Sequence, residues 1–323
     1  MNPHEREVAF SSPVNRELVH RASTSEVLPT SFSDTSKGTF VAGIQWPRRH
    51  SFYGPERFDS ALIAETIRQL TVLTLHEGYR VPLEHKFMMT GFGFQIHGVQ
   101  PSVVRRAAAV ELVGFVSLVD ARWSGTDLRG GKVEVAIRTR EGQLIAEGYG
   151  VARICSASTY ARIRRQGLGD SLGKTQRLEK LPASDVGRQH ASDVMIGRTS
   201  DPAIHSIQAD LDQPYFFDHA LDHVPGVALI EAIRQHACIQ HANPHVDLQR
   251  FEATFTRVVE HSPSATVHAS PHSENLFLIT QGPAVCVRAT ATLRVFGPTQ
   301  VSRKFPSSVK GGAQPAPGAL LLE

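Results

Sequence analysis

Two stretches of this sequence place a carboxylate, a guanidinium and an amide at fixed spacing: Glu65-Thr66-Ile67-Arg68-Gln69 and Glu231-Ala232-Ile233-Arg234-Gln235. At i, i+3 and i+4 the three side chains share one face of a helix. A carboxylate held there suits general acid or base work, and a guanidinium offers a fork of donors matched to phosphate or carboxylate oxygens. Around Glu231 the residues Val227, Leu229, Ile230, Ile233 and Ala237 cover most of the helix circumference, so protein surrounds this helix. Charges in such a setting must be paired, and a structural ion pair satisfies the same spacing. Both readings stand at this point.

The elements that carry these residues repeat. The two Glu-x-x-Arg-Gln segments lie 166 residues apart, and each is followed by a basic-Phe-x-x-Thr segment, Lys86 to Thr90 and Arg250 to Thr254, at an offset of 164. The first helix is expected to start at Asp59 or Ser60, a good N-cap pair, and to run to Glu77 before Gly78. The second is expected to take Pro225 into its first turn and to end before Asn243-Pro244. Strand-like runs close each copy: Val133 to Thr139 and Leu144 to Ile154 around Glu141-Gly142, then Ala265 to Ala269 and Val285 to Phe296. The expected organisation is a first repeat over 12–166, a linker over 167–192 rich in Gly, Ser, Asp and Lys, a second repeat over 193–298, and a disordered tail over 299–323. A long apolar helix wrapped by an antiparallel sheet is a hotdog, so the expected fold is α+β, a tandem double hotdog. A dinucleotide-binding fold would need a Gly-rich turn directly after a strand, which is not here.

Composition narrows the classes further. Among 323 residues, 41% hydrophobic and 20% charged are ordinary globular values. No apolar run reaches the length of a membrane span, and the first residues carry no apolar stretch of a secretory signal, so the expected location is the cytoplasm with no membrane partner. A net charge of +3 from 34 basic and 31 acidic residues is too balanced to imply nucleic acid. Cys155, Cys238 and Cys286 lack paired spacing and read as free thiols. His219 and His223, each preceded by an aspartate, lie in a loop with no third ligand at motif spacing, so no metal is assigned.

The segment Asp222-His223-Val224-Pro225-Gly226-Val227-Ala228-Leu229-Ile230-Glu231-Ala232-Ile233-Arg234-Gln235 resembles the signature of the A-factor biosynthesis family. The first half supports the likeness with Leu18-Val19-His20-Arg21, with Ala64 to Gln69, with His76-Glu77-Gly78-Tyr79-x-Val81-Pro82, and with Ser158-Thr159-Tyr160-x-Arg162. The likeness runs in order from Glu17 to Phe296. The Pro-Gly-Val-x-x-x-Glu-Ala core is also similar to β-hydroxyacyl carrier-protein dehydratases, but here His219 is followed by Ala220-Leu221-Asp222 where those have His-Phe-Pro.

The resemblance implies an acyltransferase that moves a β-ketoacyl group from acyl carrier protein to the hydroxyl of dihydroxyacetone phosphate, with no cofactor. In that reading Glu231 is the general base and Arg234 holds the acceptor phosphate, while Glu65, Arg68 and Gln69 repeat the chemistry in the first half and Gln235 and His223 help to place the acceptor. The backbone N–H groups at Gly226 and Val227 would meet the thioester carbonyl as it becomes an oxyanion. Arg162, Arg164 and Arg165 form a positive patch suited to an acidic carrier protein, or an ordinary solvated surface. A hotdog thioesterase or dehydratase, and a catalytically silent acyl-binding module, are the alternatives.

Overall fold

In the computed structural model, the residues described are 8–36, 38–48, 50–53, 59–97, 109–167 and 178–295. The first half contributes β1 (Pro29–Ser36), β2 (Thr39–Trp46), α1 (Ser60–Leu73), β3 (Lys86–Ile96), β4 (Val110–Ser124), β5 (Asp127–Thr139) and β6 (Leu144–Cys155). A short helix, α2 (Ala157–Gly167), follows. The second half contributes β7 (Ile196–Arg198), β8 (Ile204–Ile207), α3 (Gly226–Gln240), β9 (Val246–Phe255), β10 (Thr266–Ser270), β11 (Ser273–Gln281) and β12 (Ala284–Val295).

All twelve strands form one antiparallel sheet in the order β1-β2-β4-β5-β6-β3-β9-β12-β11-β10-β8-β7. Read from either end, this is the same order of six strands, so the repeat seen in the sequence is a repeat in topology. The halves join where β3 pairs with β9, from Gly91 opposite Thr254 to Gln95 opposite Arg250, and Phe94 stacks on Phe251 across that seam at 5.7 Å. One continuous apolar core runs through both halves.

Each long helix lies against its own part of the sheet because nearly its whole circumference is buried. α1 comes so close that a Cβ on Gly148 of β6 would stand 2.6 Å from Ile67, and one on Gly150 would stand 2.8 Å from Thr71. α1 starts as expected, with the Asp59 carboxylate accepting from the Ala61 amide, and continues through a π-helical turn over Thr74–Gly78. α3 differs by one residue from expectation. Pro225, with ψ 149°, is the N-cap outside the helix, and Gly226 is its first residue.

The described part of the expected linker, residues 178–192, is a correction. From Leu178 onward the chain bridges to β7, makes 3₁₀ turns at Ala183–Val186 and Ala191–Asp193, and buries Arg188. These turns mirror the 3₁₀ turns Arg16–Val19 and Thr24–Glu26 of the first half. The tail expected to be disordered lies outside the described residues. No helix among the described residues is long and apolar enough to cross a membrane.

Candidate active site

The Glu-x-x-Arg-Gln segments build two buried charge clusters related by the repeat. Glu231, 1% exposed, accepts at Oε1 from Arg188 Nε (2.8 Å), Arg234 (2.7 Å) and Gln235 (2.6 Å), and at Oε2 from Arg188 (2.7 Å) and Arg234 Nε (2.9 Å). Arg234 also donates to the carbonyls of Val186 and Val246, and Gln235 to that of Asp193. In the first half Glu65 accepts in the same way from Arg21, Arg68 and Gln69, with Arg68 also on Val19 O and Gln69 on Glu26 O. Burial pushes both carboxyls up, but the charges of Arg188 and Arg234 on one, and of Arg21 and Arg68 on the other, prevail. Glu231 is held below its ordinary value and Glu65 at about 2.

The residues expected as catalytic, Glu231, Glu65 and Arg234, are ion-paired inside the protein in this structure. Both oxygens of each carboxylate are occupied by guanidinium and amide donors, and Arg234 is fully engaged with protein groups. None of the three lines a cavity at the helix starts; nor do Gln69 and Gln235. Arg188 and the part played by Arg21 are absent from the sequence reading. The signal was present: Val19-x-Arg21 followed by Ser25-Glu26-Val27-Leu28 recurs as Val186-x-Arg188 followed by Ser192-Asp193-Val194-Met195.

A cavity lies at the start of α3. It has a volume of about 310 Å³, and His223, Gly226, Val227 and Arg68 from the expected set all line it. The first half supplies His20, Phe87, Met88 and Met89, and the second supplies Leu229, Phe255 and Val258, giving an apolar wall beside a polar one. Pro225 provides no side-chain cap, and the Gly226 and Val227 amides, at the cavity wall, have no hydrogen-bond partner among the described residues. A Cβ at Gly226 would overlap Met89 Cε, so glycine leaves that thioether its place on the cavity wall.

The matching end of α1 is closed. Asp59 caps it, the Ser60 amide donates to Asp247 (3.2 Å), Tyr215 donates its hydroxyl to Ala61 O (3.1 Å), and Arg188 pairs with Asp59 (2.6 Å). The two halves are thus equal in architecture and unequal at the helix starts.

His223 stands three residues before Gly226 and shares a 2.7 Å hydrogen bond through Nδ1 with Asp222. Asp222 also accepts from the Tyr160 hydroxyl (3.0 Å) and from Arg164 Nε (3.0 Å). Burial raises this carboxyl, yet the bonds from His223 and Tyr160 and the charge of Arg164 hold it at about 2. An ionised carboxylate only accepts, so Nδ1 of His223 carries the proton of that bond. Arg164 in turn grips Glu260 (2.6 Å), which corrects its place in an open positive patch: it is a buried brace for the Asp222 loop. His219 forms a second such pair with Asp218 (2.7 Å) on the outer side of the same cavity. The His20 ring, held down at about 3 by burial and then by Arg68, stays neutral against His76 at 2.8 Å.

The chain is 34% identical over 268 residues to a 2-oxo-3-(phosphooxy)propyl 3-oxoalkanoate synthase of Streptomyces virginiae, covering 81% of this chain and 88% of that one. It is 30% identical over 308 residues to a synthase of the same name from Streptomyces coelicolor, covering 93% and 92%. Among solved structures, a 12:0-ACP thioesterase from Umbellularia californica superposes with a TM-score of 0.47 at 11% identity, over 79% of this chain and 98% of that one. The A-factor biosynthesis hotdog domain matches residues 4–156 and 170–297, and the chain belongs to that family.

Proposed function

We propose that this protein transfers a β-ketoacyl group from a thioester, carried by acyl carrier protein, to the free hydroxyl of dihydroxyacetone phosphate. The product is the 2-oxo-3-(phosphooxy)propyl 3-oxoalkanoate for which its relatives are named. The observation that supports this most is the cavity at the uncapped start of α3, where amides with no partner among the described residues and a carboxylate-oriented histidine meet an apolar wall.

In this reading the thioester carbonyl sits against the Gly226 and Val227 amides and the acyl chain against Phe87, Met89, Phe255 and Val258. His223 Nε2 takes the proton of the acceptor hydroxyl as its oxygen attacks the carbonyl carbon. The amides and the positive end of α3 stabilise the oxyanion. The tetrahedral intermediate then collapses, the C–S bond breaks, and the thiolate takes the proton back from His223. Asp222 fixes the ring and balances the imidazolium, as a carboxylate does for any such base.

Purified protein should convert a β-ketoacyl thioester and dihydroxyacetone phosphate to the phosphorylated ester, read by mass, and His223→Gln should lose about two decades or more of transfer rate while melting like the parent. His219→Gln is the comparison. A parent that only hydrolyses the thioester would make it a thioesterase, and an undiminished His223→Gln would remove His223 from the chemistry.

A further inference from the structure

The arginines that border the cavity are Arg21, Arg68, Arg153 and Arg257, and they are not equivalent. Arg21 and Arg68 are committed to Glu65. Arg153, on β6, and Arg257, just beyond β9, are exposed and make no ion pair or side-chain hydrogen bond with the described residues. The lining carboxylate, Asp218, is already matched by Arg21 at 3.6 Å and by His219. The cavity wall therefore carries two uncompensated positive charges.

Strand order sets these charges near one another. Arg153 is paired with Met88 of β3 on one side, and Arg257 follows β9, the strand paired with β3 on its other side. Both arginines line the cavity together with Met88. Neighbouring strands lie about 4.8 Å apart, a gap that arginine side chains span with ease. Met88 itself lines the cavity, and the next residue, Met89, packs on Gly226 at the helix start.

A phosphate monoester carries close to two negative charges at neutral pH, and guanidinium forks match its oxygens. We infer that Arg153 and Arg257 hold the phosphate of the acceptor, a role that Arg234 cannot fill from its buried place on Glu231. The assignment rests on the acyl-transfer reading, and it adds the subsite that would tell a phosphorylated acceptor from water or an unphosphorylated alcohol.

The test uses the full chain with a small β-ketoacyl N-acetylcysteamine thioester, which has no phosphate, and separately with the carrier-bound donor. Arg153→Ala and Arg257→Ala should each raise KM for dihydroxyacetone phosphate about tenfold or more with either donor, and the double variant further. With unphosphorylated dihydroxyacetone as acceptor, parent and variants should perform alike. Calorimetric binding of inorganic phosphate by the parent should vanish in the double variant, whose melting temperature should match the parent's because neither arginine is paired. Parent-like KM in both single variants and the double variant would overturn the assignment. So would a defect confined to the carrier-bound donor, which would give these cations to the phosphopantetheine arm. If the parent transfers nothing to the phosphate acceptor, the acyl-transfer reading fails, and the phosphate-binding arm still decides whether the anion site exists.

Discussion

Glu231 accepts from Arg188, Arg234 and Gln235 at distances from 2.6 to 2.9 Å, and this saturation changes the phenotype expected of its variants. Gln at this position keeps the shape but leaves two buried guanidiniums facing a neutral amide, so Glu231→Gln should cost about 3–5 kcal/mol of stability. Denaturant midpoints check this, and a rate loss of about two decades at an unchanged midpoint would return Glu231 to the chemistry. The same cluster sets an acid limit. A glutamate that titrates near 4.5 when unfolded and near 2 when folded, as Glu65 does, binds fewer protons in the native state between those values. Its stabilisation is complete above about pH 4.5 and is lost as pH falls toward 2. Midpoints measured from pH 7 downward should therefore fall in that window, and less steeply in Glu65→Gln. The sequence made the cluster's helix half legible, since Glu-x-x-Arg-Gln spacing puts three polar groups on one face. It could not reveal that a second arginine, far along the chain, saturates the carboxylate.

At the scale of elements, the contrast lies between two helix starts. Asp59 as a cap and Pro225-Gly226 as an open end were both readable, because capping chemistry is local. The brace behind His223 was not, for Tyr160 and Arg164 reach Asp222 from α2, and nothing in a run of arginines says which one turns inward. The 3₁₀ turns around Arg188 were hidden as well, being too short to show periodicity and made of residues that also build linkers. Gly226 allows a direct test of the open end. Alanine there is a better helix former by up to about 1 kcal/mol, but its Cβ needs the space that Met89 Cε occupies. Met89 ends in a flexible thioether and gives way, displaced from its place on the cavity wall. Gly226→Ala should therefore melt at or near the parent temperature and transfer long acyl groups more slowly. Adding Met89→Ala should restore the rate; if Gly226→Ala works as fast as the parent, the acyl chain does not pass this wall.

At the scale of the whole molecule, the two arginines whose part the sequence did not reveal tie the halves together. Arg188 belongs to the second half and holds its own Glu231, yet it also donates to Asp59 and to Phe52 O of the first half, with its guanidinium 3.9 Å from the Phe52 ring centre. Arg21 does the converse, joining Glu65 to Tyr215 O and approaching Asp218 in the second half. Each helix glutamate is thereby linked to the opposite repeat, and the β3–β9 seam and shared core make the same connection through backbone and apolar packing. Such coupling predicts one cooperative unfolding event for both repeats. Arg188→Ala strips the partner from Asp59 and removes one of the two guanidiniums from Glu231, so it should cost about 3–5 kcal/mol. The loss should lower a single calorimetric transition rather than split it, because the carboxylates it exposes lie one in each half. Two separated transitions in the variant, with the first repeat melting at the parent temperature, would mean that the repeats fold independently and that the arginine crossing serves only its own half.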